Sequence, residues 1–435
     1  MSTLLRLATA GSVDDGKSTL VGRLLHDTKS VLADQMDAVE RVSRDRGFSG
    51  VDLALLTDGL RAEREQGITI DVAYRYFATA ARSFVLADCP GHVQYTRNTV
   101  TGASTADVVV LLVDARKGVL EQTRRHLAVS ALLRVPHVLV AVNKIDLVGF
   151  DEAVFTGVVK EVDELTRDLG LPDVRTVPVS ALEGDNVVER STRMPWYDGP
   201  SLLELLEALP PADDPTHEPF RLPVQVVLRP QSAAREERFR DYRGYAGQIA
   251  AGVVRVGDEV VVLPSGSRTT VAGIDTADGE LGEAFAPQSV AIRLTDDVDV
   301  ARGDLLAAAA DAPVPTRDVE GTVCWLSDRE LRPGARVLIK HTTRTVQAVV
   351  RDVVGRLNLD TVELEPAESL SLNDIGRVTL RLASPIAAEE YVTARRTGAF
   401  LLIDAHDGAT LAAGMVGDPL AAVRHPEQRP GAYAI

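Results

Sequence analysis

The sequence predicts a doubly wound α/β domain with a mostly parallel sheet, followed by two β-barrel domains. Three observations predict it. Short apolar runs alternate with helix-length segments over the first 210 residues or so. A Pro-rich polar stretch, Pro211–Pro219, then interrupts the pattern. Beyond it come many short β-type runs, most with Gly or Pro close by.

The first half offers the runs Leu4–Ala8, Ser83–Ala87, Val108–Val113, Val138–Val142 and Arg175–Val179. Runs of about five residues rich in Val and Leu read as strands buried on both faces of a parallel sheet. Val119–Arg134 and Phe155–Leu169 are long enough to be crossover helices between such strands. Ser201–Ala208 repeats Leu at helical spacing, and Pro210-Pro211 stops it. In the second half, Val224–Leu228, Val260–Leu263, Val290–Leu294, Val337–Ile339 and Val378–Leu382 are strand candidates at barrel-like spacing. Asp311-Ala-Pro-Val-Pro315 divides them. The expected domains are residues 1–212, 220–312 and 316–435.

A chain of 435 residues is too long for one ordinary core, so two or three domains are expected. Its 45% apolar and 25% charged residues are those of a soluble globular protein. No apolar run approaches the roughly 18 residues that a membrane span needs. Met1-Ser-Thr-Leu-Leu-Arg6 carries no leader pattern, so a cytoplasmic protein without a membrane partner is expected. Cys89 and Cys324 stand far apart and make neither a metal-ligand spacing nor a disulfide framework. The net charge of −16 and the lack of a dense basic run argue against nucleic acid as a partner.

Gly11-Ser-Val-Asp14-Asp15-Gly16-Lys17-Ser18 fits G-x-x-x-x-G-K-[ST] between a predicted strand and a predicted helix, Thr19–Leu25. The two glycines let the backbone curl so that its N–H groups face phosphate oxygens. The helix points its positive end at the same anion. Lys17 is placed to neutralise β- and γ-phosphates, and Ser18 to offer a hydroxyl to Mg²⁺. The first domain is therefore expected to be of the P-loop type.

Asn143-Lys144-Ile145-Asp146 directly follows Val138–Val142. A carboxylate accepts from both N1–H and N2–H₂ of guanine, and adenine lacks that pair of donors, so Asp146 selects GTP over ATP. Asn143 is expected to fix the loop and touch the base, and Lys144 to pack its stem on the ring. Alone, Asn-Lys-x-Asp is a common surface turn; its distance behind the P-loop gives it weight. Ser180-Ala181-Leu182 follows Arg175–Val179 and fits a loop whose backbone N–H meets guanine O6. Asp88-Cys-Pro-Gly91-His92 follows Ser83–Ala87. There Asp88 would hold Mg²⁺ through water, Gly91 N–H would meet the γ-phosphate, and His92 would orient the attacking water. Within Arg64-Glu-Gln-Gly67-Ile-Thr69-Ile70, Thr69 would ligate Mg²⁺ and release the segment after hydrolysis. His26, His126 and His137 read as ordinary histidines. Four of the motifs begin at the ends of four apolar runs, the edge at which an open α/β sheet binds ligands.

These residues resemble the translational GTPases, whose plan is an α/β P-loop GTPase domain followed by two β-barrels. Asp14 matches a P-loop Asp of that group, which implies a supporting role near the phosphates or a monovalent cation. Leu56–Asp71, Cys89–Asn98, Gly184–Val187, Met194-Pro-Trp-Tyr197, Phe239–Gly247, Val262–Gly266, Leu372–Gly376 and Pro385-Ile386 are similar to the GTPase subunits of bacterial sulfate adenylyltransferases. Val93 departs from the acidic or small residue expected beside His92. The resemblance implies that GTP hydrolysis drives ATP and sulfate to adenylyl sulfate and pyrophosphate on a smaller ATP-sulfurylase subunit. No second Gly-x-x-x-x-Gly-Lys occurs in the chain, so no fused kinase activity is expected. The alternative is an elongation-factor-like protein delivering aminoacyl-tRNA, which the lack of basic stretches in the barrels disfavours.

Overall fold

The Val- and Leu-rich runs of the first half become the strands of one six-stranded sheet. The computed structural model describes residues 3–45, 51–56, 72–92, 96–210, 215–233, 237, 240–359 and 361–419. In chain order the α/β domain comprises β1 (Thr3–Gly11), α1 (Lys17–Asp27), α2 (Ala33–Asp45), β2 (Ala73–Ala78), β3 (Arg82–Asp88), α3 (Thr96–Ser104), β4 (Val108–Asp114), α4 (Glu121–Leu132), β5 (His137–Asn143), α5 (Glu152–Asp168), β6 (Val174–Pro178) and α6 (Leu202–Ala208). The sheet order is β2-β3-β1-β4-β5-β6. Only β2 runs antiparallel to its neighbour.

Burial explains the uninterrupted apolar runs. All seven residues of β4 are buried, and so are all seven of β5, as helices on both faces require. Each fully buried Val or Leu contributes about 1.5–3 kcal/mol. The chain leaves β1 for β3 on one side and later adds β4 on the other. The strand order therefore reverses next to β1, and the loop after β1 sits at the topological switch point. The last helix starts with a capping box, in which Ser201 Oγ accepts from Glu204 N–H and Glu204 returns to Ser201 N–H at 2.7 Å.

A second compact unit holds the barrels. Its first part contains β7 (Arg221–Pro223), β8 (Val226–Leu228), β9 (Gly244–Gln248), β10 (Val253–Arg255), β11 (Glu259–Leu263), β12 (Ser267–Thr276), β13 (Gly279–Leu281), β14 (Glu283–Phe285), β15 (Ser289–Leu294) and β16 (Leu305–Ala308). The main ladder runs β7-β16-β11-β12-β15-β9-β8. Because β7 and β8 are successive pieces of one segment, that segment closes the ladder into a barrel. The second part contains β17 (Thr316–Trp325), β18 (Arg336–His341), β19 (Arg344–Leu357), β20 (Leu364–Glu365), β21 (Ile375–Ile386), β22 (Ala399–Ile403) and β23 (Thr410–Val416). Its order β18-β22-β23-β17-β21-β19 closes through a β18–β19 ladder into a six-stranded barrel.

The barrel strands alternate inward and outward as a period of two demands. In β19 buried and exposed residues alternate until Arg351 and Asp352, which are both exposed. The ladder to β21 shifts register at that point. The extra residue of a bulge reverses which parity faces the core. The fold is thus a P-loop-type α/β domain followed by two β-barrels.

Candidate functional site

The phosphate loop is shaped by backbone conformations that its sequence permits. Gly16 caps α1 with φ 95°, and Gly11 lies at φ 143°. Asp14 also adopts a left-handed conformation at φ 65°. Lys17 is buried, and its Nζ donates to the carbonyls of Gly11 at 2.9 Å and Ser12 at 2.7 Å. Burial lowers its pKa, opposed by the nearby Asp15 and Asp88 carboxylates. An ammonium so desolvated gains strongly from an arriving phosphate. Asp15 is buried inside the loop, and its Oδ2 accepts from Ser12 N–H at 2.7 Å. Its Oδ1 and the Ser12 hydroxyl have no hydrogen-bond partner among the described residues. Burial pushes the Asp15 carboxyl up, opposed by that N–H and by Lys17. Asp15 therefore acts as a strut of the loop. Ser18 and Thr19, in the first turn of α1, are half-buried.

One side chain joins three motifs. Asn143 Nδ2 donates to the Asp15 carbonyl at 2.7 Å, and its Oδ1 accepts from Ala181 N–H at 2.9 Å. The phosphate loop, the Asn143–Asp146 turn and the Ser180–Leu182 loop are thus stapled together at one sheet edge. Lys144 has φ 62°, and its Nζ contacts the Asp14 carbonyl and lies 3.0 Å from Asp114. Its stem is stretched between fixed ends. Asp146 sits on the 3₁₀ turn Ile145–Val148, half-buried, and its carboxylate accepts no hydrogen bond among the described residues. Ser180 and Ala181 are buried, whereas Leu182 is exposed. Ser180 Oγ accepts from Glu183 N–H at 3.2 Å, which tightens that loop.

Register sets the place of Asp88. The parallel β1–β3 ladder places Thr9 opposite Asp88, and the Thr9 hydroxyl donates to Asp88 Oδ1 at 2.9 Å. Asp88 is buried. Gly91 lies against the phosphate loop: a Cβ added there would collide with the Lys17 ammonium and the Gly11 and Ser12 carbonyls. His92 follows it, half-buried. Thr69 with the whole Arg64–Ile70 stretch, and Val93, lie outside the described residues.

Two groups that the motifs do not name belong to this constellation. Asp114, buried at the end of β4, pairs with Lys144 and with Arg116 at 2.6 Å. Burial raises the Asp114 carboxyl, but hydrogen bonds from Arg116 and Lys144 outweigh it and hold it far below the usual carboxylate range. Its sequence signal is a carboxylate ending an apolar run, the same signal that marks Asp88. Arg23 on α1 donates to the Ala181 carbonyl at 3.2 Å and to that of Leu182. No sequence pattern distinguishes it from other helix arginines.

His26, His126 and His137 have structural surroundings. His26 pairs with Asp27, and His137 meets Asp173 at 2.7 Å. His126 is buried on α4, where desolvation pushes its pKa down to about 3. In the first barrel, Tyr245 is buried, and Tyr242 donates to Asp275 at 2.9 Å. Packing explains both, together with Gly244 and Gly247, where a Cβ would strike Tyr242 and the Pro223 carbonyl.

Comparisons with known proteins agree with this geometry. Residues 2–212 match the family described as Elongation factor Tu GTP binding domain, and residues 318–417 match that described as GTP-eEF1A C-terminal domain-like. The bifunctional enzyme CysN/CysC of Mycobacterium tuberculosis is 52% identical over 96% of this chain and 67% of its own length. Sulfate adenylyltransferase subunit 1 of Laribacter hongkongensis is 50% identical over 95% of this chain and 85% of its own length. That of Cellvibrio japonicus is 48% identical over 96% of this chain and 88% of its own length. Identity of this level across both barrels as well as the nucleotide domain settles the lineage: the chain belongs to the sulfate adenylyltransferase subunit 1 family.

Proposed function

We propose that this chain is the GTP-hydrolysing subunit of a sulfate adenylyltransferase, and that it couples GTP hydrolysis to ATP + sulfate → adenylyl sulfate + pyrophosphate on a smaller ATP-sulfurylase subunit. The observation that carries the nucleotide half is Asn143, which holds the phosphate loop and both candidate guanine loops in one arrangement. The coupling half rests on relatives named sulfate adenylyltransferase subunit 1. The same relatives favour this reading over aminoacyl-tRNA delivery. Sulfate is a poor nucleophile and the product anhydride is high in energy, so the step must be driven. A nucleotide switch drives it only if the partner binds its two states differently.

In this reading Gly11, Asp14, Asp15, Gly16, Lys17, Ser18 and Thr19 form the phosphate site. Asn143, Lys144, Asp146, Ser180, Ala181 and Leu182 form the base site. Mg²⁺ fits the donors present: one hydroxyl at Ser18 and one carboxylate at Asp88 are too few to hold the ion alone, and Mg²⁺ typically binds through one or two carboxylates plus substrate phosphates. Thr69 would complete that set. Bound there, the ion would neutralise charge on the β- and γ-phosphates. Gly91 and His92 belong to the switch, beside Lys17. No helix among the described residues is long and apolar enough to cross a membrane. We place the protein in the cytoplasm, where its nucleotides are.

The direct test is synthesis of adenylyl sulfate by this chain with its small partner, with and without GTP. Faster synthesis with GTP than with a non-hydrolysable analogue is expected; equal rates would refute the coupling. His92→Ala is expected to leave nucleotide affinity intact and slow hydrolysis about 100-fold, a common loss when a group handling the reacting water is removed. Single-turnover phosphate release measures it, and an unchanged rate removes His92 from the mechanism.

A further inference from the structure

The stretch Ser191–Tyr197 supplies no group to the phosphate, base or metal positions, yet it touches both guanine loops. Trp196 Nε1 donates to the Phe150 carbonyl at 2.9 Å. Phe150 lies just beyond the turn that carries Asp146, and its N–H returns to the Ile145 carbonyl at 2.9 Å. The chain leaves that turn through two left-handed residues, Gly149 at φ 69° and Phe150 at φ 58°. A bulky residue at positive φ is strained and persists only when its surroundings hold it. Trp196 provides one hold. Arg193 provides another, with its guanidinium over the Phe150 ring, 4.9 Å from the centroid.

The same arginine reaches the second loop. Arg193 Nε donates to Asp185 Oδ1 at 3.0 Å, and Nη2 meets Asp185 Oδ2. Ser191 Oγ donates to Asp185 Oδ1 at 2.6 Å, and Ser191 N–H to Asn186 Oδ1 at 2.7 Å. The Asp185 carbonyl in turn accepts from Ser180 N–H at 3.1 Å, closing the Ser180–Asp185 loop. Phe155 backs the strap from α5, with its ring 5.4 Å from Trp196 and 6.0 Å from Tyr197.

We propose that Ser191–Tyr197 is a strap that fixes the spacing between Asp146 and the Ser180–Leu182 loop, and so determines how strictly the site selects guanine. Trp196 and Arg193 are its positioning residues. The inference rests on Asp146 reading the guanine edge. Two hydrogen bonds to one base edge tolerate little displacement, because they weaken steeply as the angle departs from linear. A strap that links both loops sets that geometry without touching the base.

Inosine triphosphate tests it, because it lacks the 2-amino group and keeps only one of the two donors that face Asp146. The wild-type chain should bind GTP at least about tenfold more tightly than ITP, the value of one hydrogen bond to a charged group. Trp196→Phe keeps an aromatic ring, though a smaller one, and removes the indole N–H; Arg193→Met keeps the stem and removes the charge. Each is expected to lower GTP affinity about fivefold to tenfold, as for a lost hydrogen bond, and ITP affinity less, so the GTP/ITP ratio shrinks. A variant that only weakens folding lowers the active fraction for both nucleotides and leaves the ratio unchanged. Tyr197→Phe is the control, since its hydroxyl donates to Pro200 outside both loops, and it should keep the wild-type ratio. Wild-type ratios in both Trp196→Phe and Arg193→Met overturn the strap. A wild type that binds GTP and ITP alike overturns the role of Asp146 and the strap with it.

Discussion

Asp146→Asn is expected to reverse the base preference of this chain, from GTP to xanthosine triphosphate. The substitution is nearly isosteric, and the loop around it is held by other groups. Asn143 pins the turn to the phosphate loop and to Ala181, and Lys144 is anchored on Asp114. The Asp146 carboxylate accepts no hydrogen bond from the described residues, so the substitution breaks none within them; it removes a charge that acts on Arg116. What changes is the pairing with the base. Guanine presents two donors, and an amide nitrogen turned toward them faces donor against donor. Two hydrogen bonds to a charged acceptor are worth about 1.5–3 kcal/mol each. A site built to pair with a polar edge rejects a ligand that leaves it unpaired by about 10⁴-fold. A GTP affinity lower by that order, with a rise for xanthosine triphosphate, is the expected result in competition against fluorescent GDP. Hydrolysis should follow the same exchange of substrates, because Lys17, Ser18 and His92 are untouched. A variant that still prefers GTP would remove Asp146 from base recognition.

How much of this was visible in the sequence depends on whether a feature is local. The strands of the α/β sheet were visible because burial on both faces demands unbroken apolar runs, as at Val108–Val113. The site motifs were visible because phosphate and guanine impose fixed residue types at fixed spacing. Ser201 as a helix start was also local, set by the Glu three residues on. What escaped is non-local. Asp114 acquires its place only when the β4–β5 ladder sets it opposite Asn143, next to Lys144. Arg23 matters only once α1 lies beside a loop some 160 positions later. The Met194–Tyr197 stretch carries a family resemblance, but the bond of Trp196 to Phe150, and those of the preceding Ser191 and Arg193 to Asp185, depend on where two loops end. The bulge in β19 hides in the sequence, because Arg351-Asp352 reads equally well as a turn.

Arg221→Ala is expected to destabilise the barrel unit by about 3–5 kcal/mol, the usual result of leaving one member of a buried ion pair alone. Arg221 lies on β7 with a side chain 4% exposed, and Glu389 follows β21 in the second barrel with one 17% exposed. Arg221 Nε and Nη2 both donate to the Glu389 carboxylate, at 3.1 and 2.8 Å, and Nη2 also donates to the Asp311 carbonyl at 2.6 Å. Thr397 donates to the other Glu389 oxygen at 2.6 Å, and the Thr397 carbonyl meets His341 Nε2 at 2.6 Å. Beside this network lies a small apolar cluster, Val261, Leu263, Leu305 and Ala307 with Ala387. With so small a cluster, polar contacts share in holding one barrel to the other: this network, the Arg344–Asp304 pair at 3.1 Å and the Arg396 bond to the Ala250 carbonyl at 3.2 Å. Removing the guanidinium strands Glu389 and the Asp311 carbonyl together. Glu389→Gln should cost less, since an amide still accepts from Arg221. Arg221→Met with Glu389→Met should recover much of the loss, because desolvation of two charges offsets most of what their attraction contributes. Thermal unfolding of the chain measures all three, and at about 2–4 °C per kcal/mol for a unit of this size Arg221→Ala should lower Tm by about 10 °C. A shift of a degree or less would mean that the barrels are joined by something else. GTP affinity should not change, because no residue of this network belongs to the nucleotide site.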